Sequence, residues 1–363
     1  MIINKLELSN FRNYEFSEFE FDEKTNILFG DNAQGKTNVL EAIYVAGTTK
    51  SHKSSKDREM IRMGTKEAHI KMYVTKKEIS HRIDIHLKKS GSKGVAIDGV
   101  PTRKSSDLIG LCNIIFFSPE DLNIIKNGPG ERRRFINMEL CQMDKMYLYY
   151  LTKYNKILNQ RNNLLKQISF DENLMDTLEI WDLQLLENGK QIITLRKKFI
   201  NQLNEIMKNI HYKLSGGKEQ IEISYEPNVE AAYFEEKLFL SRDKDLFQGT
   251  TCVGPHRDDI NFIVNGIDIR KYGSQGQQRT TALSLKLAEI EIVKDIVGET
   301  PILLLDDVLS ELDRKRQNYL LENIKGIQTI ITCTGLEEFI ENKMNINRTF
   351  EIINGTQNGG YHE

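Results

Sequence analysis

The chain has 363 residues, enough for one large domain or two of moderate size. Hydrophobic residues make up 39% and charged residues 28%, a balance that excludes a disordered chain. The formal net charge of −2 excludes a globally basic surface, so any contact with nucleic acid must come from a local patch.

Taken in chain order, residues 2–8 place Ile3, Leu6 and Leu8 among polar positions and predict a strand. Residues 25–29 form a second, apolar strand that ends at Gly30. Val39, Leu40, Ile43 and Tyr44 have helical spacing, which predicts a helix over 37–46. Residues 68–97 alternate and predict an antiparallel meander with turns near Lys76-Lys77 and Ser90-Gly91. Residues 113–117 form another apolar strand. From 131 to 215 there is no proline and one glycine, Gly189, which predicts two or three long helices broken near Ser169-Phe170-Asp171. Residues 221–225 read as a strand returning from that block. Asn265-Gly266 signals a hairpin over 262–269. A helix over 280–297 leads to an aliphatic strand at 301–305, and a second such strand follows at 329–333. The tail, 354–363, is polar and glycine-rich and is expected to fray.

Cys112, Cys141, Cys252 and Cys333 form no CxxC pair, so neither a cysteine zinc site nor a disulfide framework is expected. The first residues lack the pattern of a signal peptide, and no apolar run approaches the ~20 residues that span a bilayer. A cytoplasmic location is the expectation.

The strongest motif is Gly30-Asp31-Asn32-Ala33-Gln34-Gly35-Lys36-Thr37, a G-x-x-x-x-G-K-T between a predicted strand and helix. Its glycines let backbone amides turn towards phosphate oxygens, and the helix adds its positive dipole end. Lys36 is expected on the β- and γ-phosphates of ATP and the Thr37 hydroxyl on Mg²⁺. A glycine turn with an incidental lysine is the alternative. The second element is Leu303-Leu304-Leu305-Asp306-Asp307, an aliphatic strand ending in two carboxylates. Asp306 is suited to Mg²⁺, and Asp307 to orienting or deprotonating a water. Two aspartates that merely end a core strand are the alternative there.

Before the helix at 280 lies Tyr272-Gly273-Ser274-Gln275-Gly276-Gln277-Gln278-Arg279, a hydroxyl, glycines and amides at a helix N-terminus. An unliganded helix cap would use the same residues. Ser310-Glu311-Leu312-Asp313 follows the acidic pair. The succession of phosphate loop, signature-like segment, acidic strand and following loop resembles the ABC ATPases. That resemblance implies two ATP molecules held in a head-to-tail dimer, with Ser274, Gln275, Gly276 and Gln277 acting in trans.

Within that superfamily the sequence resembles the RecF family over nearly its whole length. The residues that carry the likeness are Leu8-Ser9-Asn10-Phe11-Arg12-Asn13-Tyr14, Phe117-Ser118-Pro119-Glu120-Asp121-Leu122, Gly130-Glu131-Arg132-Arg133-Arg134-Phe135, Gly254-Pro255-His256-Arg257-Asp258-Asp259, and the stretch 304–313. The resemblance implies an α/β architecture: an ABC-type P-loop ATPase head with an antiparallel β subdomain and an inserted helical arm. Its expected boundaries are 1–130 for the first half of the head, 131–248 for the arm and 249–363 for the second half. It adds Arg12, Asn13 and Asn38 to the nucleotide contacts and Glu120 to the metal set, with Lys36 and Asp307 catalytic. It further implies a weak ATPase that binds double-stranded and gapped DNA as an ATP-dependent homodimer and helps RecR and RecO place RecA on strands coated by SSB. Two departures from the ABC pattern, Asp307 where many relatives have glutamate and Thr332-Cys333-Thr334 without a switch histidine, lead to an expectation of slow hydrolysis.

The start of the arm is locally basic, with Lys126, Arg132, Arg133, Arg134, Lys145, Lys153, Lys156, Arg161 and Lys166 against Glu131, Glu139 and Asp144. Arg132, Arg133 and Arg134 are candidates for phosphate contacts, as is Lys53 in the segment that follows the P-loop helix. A solvated helix face with paired arginines and core tyrosines is the alternative. His256 has no ligand partner at metal spacing and is expected to be structural. Two rival functions share the motifs, a transporter's nucleotide-binding subunit and a DNA clamp that does not need hydrolysis.

Overall fold

The computed structural model describes residues 1–53, 56–168, 170–335 and 346–361; Ser54, Ser55 and Ser169, and with them parts of the segment after the P-loop helix and of the expected arm break, lie outside the described residues, as do 336–345 and the last two tail positions. The chain divides into two compact units, Met1–Asp121 with Glu289–Glu363, and Leu122–Ala288. In chain order the first unit supplies β1 (Ile2–Phe11), β2 (Tyr14–Glu20), β3 (Thr25–Phe29), α1 (Lys36–Thr48), β4 (Glu67–Lys76), β5 (Ile79–Lys88), β6 (Gly94–Ile97), β7 (Val100–Pro101) and β8 (Ile114–Phe117). The second contains α2 (Leu122–Lys126), α3 (Pro129–Met143), α4 (Lys145–Ile168), α5 (Leu178–Leu214), β9 (Ile221–Glu226), α6 (Phe234–Leu240), α7 (Arg242–Gln248), β10 (Asp259–Val264), β11 (Ile267–Asp268) and α8 (Ile269–Tyr272). Helix α9 (Gln275–Val297) begins in the second unit and ends in the first, which then adds β12 (Ile302–Asp306), α10 (Arg314–Asn323), β13 (Thr329–Cys333), β14 (Arg348–Ile353) and β15 (Thr356–Tyr361). No helix among the described residues is long and apolar enough to cross a membrane.

The first unit holds two six-stranded sheets, ordered β2-β1-β4-β5-β6-β7 and β15-β14-β3-β13-β12-β8. The first is antiparallel. In β1, Ile3 and Leu6 lie three positions apart and would point to opposite faces of a regular strand. A register shift between Ile3 and Lys5 against β4 turns both inward, with Leu8 following on the same buried face. Strands β4 and β5 alternate more regularly, burying Ala68, Ile70, Met72 and Val74 opposite Leu87, Ile85 and Ile83. Their turn is Lys77-Glu78, both at positive φ, one residue beyond the expected position.

In the second sheet β14, β3, β13, β12 and β8 run parallel, and all five residues of β12 are buried, as a strand covered on both faces requires. Inner faces of both sheets and α1 share one core, in which each fully buried Leu or Ile contributes about 1.5–3 kcal/mol over its exposed state. The expectation of a frayed tail is corrected: Asn354-Gly355, both at positive φ, turn β14 into β15, and Phe350 and Ile352 point into the core. Strand β2 was not expected from the charged run that forms it; Tyr14, Ser17 and Phe19 supply its buried side.

The second unit is wider than the expected arm. It starts at Leu122 rather than 131 and ends at Ala288 rather than 248, because the small sheet β11-β10-β9 packs along α5. The long helices are α4 and α5, and the latter's 37 residues span roughly 55 Å. The single glycine of the stretch has a steric cause: a Cβ on Gly189 would lie 2.5 Å from the Phe234 ring and 3.0 Å from that of Tyr154. Arginine ion pairs also fill this unit. Arg161 is fully buried and bonds Asp182 at 2.6 Å and Asp245 at 2.7 Å. Arg196 bonds Asp258 at 2.7 Å, the Pro255 carbonyl and the Tyr147 hydroxyl.

Candidate nucleotide-binding site

Strands β3, β13 and β12 lie side by side and parallel, so the loop after β3 and the carboxylates ending β12 emerge at the same sheet edge. Gly30 (φ 141°), Ala33 (φ 64°) and Gly35 (φ 115°) bend the loop into a turn that then opens α1. A Cβ on Gly35 would sit 2.5 Å from Asn13 Nδ2, so only glycine fits there. The N–H groups of Lys36 and Thr37 fall in the first turn of α1, where no intrahelical carbonyl can accept them. Lys36 is buried, and its ammonium donates to the carbonyls of Gly30 (2.6 Å) and Asp31 (2.8 Å), holding a positive charge inside the loop.

The loop is braced from behind. Asn13 Nδ2 donates to the Gln34 carbonyl at 2.8 Å while its Oδ1 accepts from Asn38. The Tyr14 hydroxyl donates to the Gly35 carbonyl, and the backbone amides of Asn354 and Gly355 donate to Gln34. Asn13 and Asn38 thus meet at the loop. Tyr14 belongs to a stretch quoted for the family resemblance but was given no role, and Gly355 was not singled out; the Asn354-Gly355 pair was the available signal for the latter.

Thr37 Oγ1 donates to Asp306 Oδ1 at 2.7 Å, and Thr332 Oγ1 donates to the same oxygen at 2.8 Å. Thr332 Oγ1 also accepts the backbone N–H of Asp307. One threonine therefore positions both acidic residues, a role the sequence showed only as a missing histidine. Asp307 sits at φ 52°, an uncommon conformation for a non-glycine residue. Burial first, and the neighbouring Asp306 carboxylate second, push its carboxyl above the ordinary aspartate range, against the opposing pull of Lys36 and Lys53. The Thr37 hydroxyl and the Asp306 carboxylate offer oxygen ligands, a set that suits Mg²⁺.

Three more expected residues lie in this unit. Arg12, expected at the nucleotide, forks onto both oxygens of Glu41 (2.7 and 2.6 Å) and donates to the Glu59 carbonyl. Burial alone would raise the Glu41 carboxyl, but the Arg12 fork and the Ser51 hydroxyl hold it below the usual range. Lys53, expected on DNA, brings its ammonium to 3.9 Å from Asp306 Oδ2. Glu120, expected with the metal ligands, is exposed and has no hydrogen bond or ion pair to Thr37 or Asp306 among the described residues.

In the second unit, Ser274, Gln275 and Gly276 are exposed at the start of α9. Ser274 and Gln277 form a reciprocal cap: Gln277 N donates to Ser274 Oγ at 3.2 Å, and Ser274 N donates to Gln277 Oε1 at 3.0 Å. Arg132 is 1% exposed and paired to Asp259, so its expected contact with phosphate is corrected to a structural role; Arg161, of the same basic run, is buried and paired as well. Arg133 donates to the Asp258 carbonyl and stays half-buried, whereas Arg134 is exposed. His256 lies between the Tyr154 hydroxyl and the Thr251 carbonyl, and burial pushes it down to about 4, in keeping with a structural histidine.

Residues 2–358 match the family profile described as the RecF/RecN/SMC N terminal domain. The chain is 60% identical to the DNA replication and repair protein RecF of Lachnoclostridium phytofermentans over 99% of its length and 100% of that protein's. It is 59% identical to the protein of the same name from Agathobacter rectalis, over 98% of each chain. Among solved structures, the recombination mediator protein RecF with ATP, in the RecFOR pathway, superposes with a TM-score of 0.92 at 35% identity, over 98% of this chain and 97% of that one. An Smc head domain from Pyrococcus furiosus shares the fold, with a TM-score of 0.58 at 18% identity over 99% of this chain and 96% of that one.

Proposed function

The chain belongs to the RecF family, and on that premise we propose how its nucleotide site serves DNA replication and repair. The protein is an ATP-binding recombination mediator. The observation that carries the mechanism is the Thr37–Asp306 hydrogen bond, which joins the phosphate loop to the acidic strand. The loop amides and Lys36 bind the phosphates of ATP. Thr37 and Asp306 would hold Mg²⁺, which supplies neutralisation of phosphate charge. Asp307, its carboxylate made a stronger base than an ordinary aspartate's by burial and the neighbouring Asp306, accepts the proton of the attacking water.

Hydrolysis is slow, since the shorter Asp307 and the absence of a switch histidine in Thr332-Cys333-Thr334 leave the water less firmly oriented. ATP closes a head-to-tail homodimer in which Ser274, Gln275, Gly276 and Gln277 of one protomer meet the nucleotide of the other. The closed dimer holds double-stranded DNA beside single-strand gaps, using exposed groups such as Arg134. It works with RecR and RecO, whose pathway the ATP-bound relative shares, to place RecA on strands coated by SSB. Family membership over the full length sets aside the transporter-subunit alternative.

Sedimentation of the Asp307→Asn protein, with and without ATP-Mg²⁺ and then with gapped duplex, tests this reading. An ATP-dependent doubling of mass followed by capture of DNA supports it. A protein that binds ATP and remains monomeric refutes the trans arrangement.

A further inference from the structure

Away from the nucleotide site, the outward face of the antiparallel sheet carries a second cluster of metal-binding side chains. His69 of β4 and His86 of β5 are direct cross-strand partners, with ring centroids 4.2 Å apart and planes 19° from parallel. Glu67 lies two residues before His69 and therefore on the same face, and its Oε2 is 2.8 Å from His86 Nε2. One ligand atom from each of Glu67, His69 and His86 lies within 4.8 Å of the other two. We infer that this strand pair binds a divalent transition-metal ion of the zinc class through Glu67, His69 and His86.

The ligand chemistry decides the class. Two imidazole nitrogens and one carboxylate oxygen suit Zn²⁺, whereas Mg²⁺ and Ca²⁺ take all-oxygen sets. Three protein ligands leave a fourth position to water. The backbone beneath is fixed: β4 and β5 pair without interruption from Glu67↔Lys88 to Lys76↔Ile79, and Ala68, Ile70, Ile85 and Leu87 anchor the opposite face in the core. Across the flanking strands the histidine pair faces only small residues, Ser9 of β1 and Gly94 of β6, so the face stays open to an ion. The rings are stacked nearly face to face, and convergence of both on one ion needs a rotation about the soft χ2 of half-exposed rings. Lys88 opposite Glu67 and Lys71 beyond His69 oppose a cation, although Lys71 is drawn to Glu7 at 3.6 Å.

No cysteine takes part, and the ligands come from two strands, so the cluster is invisible to spacing rules built on single segments. Zinc titration of the chelator-stripped full chain against a chromophoric competitor tests the site, using wild type, His86→Gln and Asp306→Asn. Wild type and Asp306→Asn should each bind one equivalent, and His86→Gln should bind about a hundredfold more weakly, since even outer partners of a metal ligand are worth tenfold or more. Circular dichroism checks that His86→Gln is folded, and Glu67→Gln is the second variant with the same expected loss. Equal affinity in wild type and both ligand variants overturns the inference, as does loss of the zinc equivalent in Asp306→Asn alone.

Discussion

Thr37 donates its hydroxyl hydrogen to Asp306 across 269 positions of sequence, and Thr332 supplies a second hydroxyl to the same carboxylate oxygen. Thr332 also accepts the Asp307 amide, so it fixes the geometry of the acidic pair without standing in the phosphate loop. Thr332→Val keeps the volume and removes both bonds. Steady-state hydrolysis should fall about tenfold or more, because a small misplacement of a catalytic group is costly. Equilibrium binding of a fluorescent ATP analogue should change much less. A parallel loss of binding would place Thr332 in the nucleotide site itself.

The raised Asp307 carboxyl makes a signed prediction about pH. A group whose folded-state pKa exceeds its unfolded value stabilises the fold below the unfolded pKa and loses that contribution as pH rises through the folded one. Ionised Asp307 therefore costs stability at neutral pH, where burial and Asp306 oppose its charge. Asp307→Asn should melt higher than wild type at pH 7, and the difference should shrink as the pH falls through the acidic range. Asparagine also tolerates the positive φ at this position better, a gain that does not vary with pH. Only the pH-dependent part of the difference tests the carboxylate.

The basic start of the arm divides into two classes of arginine that mutagenesis should separate. Arg161→Met would leave Asp245 buried without its cation and Asp182 with Arg242 alone, a loss of roughly 3–5 kcal/mol. Arg134→Ala, at an exposed position, should leave the melting temperature nearly unchanged and lower the salt slope of DNA binding by about one. Chemical denaturation and binding isotherms at several salt concentrations distinguish the two. An Arg134→Ala protein with an unaltered slope would move the DNA surface elsewhere.

These classes show where sequence reasoning reaches and where it stops. The phosphate loop was legible because its chemistry lies in consecutive residues, and the acidic strand because four consecutive aliphatic residues announce burial. Arg132 was misread because its partner is remote, Asp259 lying 127 positions away, and Arg161 likewise meets Asp245 across 84 positions. A basic run looks the same whether its charges face water or one another. Nothing local in the sequence predicted that the chain after α1 brings Lys53 back to Asp306. The tail hairpin, by contrast, was available in Asn354-Gly355 and was outweighed by the polar composition around it.

Ser274 has two explanations, and a charge can tell them apart. As a cap, its hydroxyl accepts from Gln277 N and satisfies an amide at the start of α9. As a signature residue, it meets phosphate on another protomer. Ser274→Asp retains an acceptor at the cap and adds a negative charge that the helix N-terminus favours, so the melting temperature should hold or rise slightly. The same charge would repel a phosphate. Light scattering with ATP-Mg²⁺ should then find Ser274→Asp monomeric at concentrations where a hydrolysis-deficient protein is dimeric, while each monomer still binds ATP on its own loop. A Ser274→Asp protein that dimerises normally would reduce the segment to a helix cap and leave the closed state without its contact in trans.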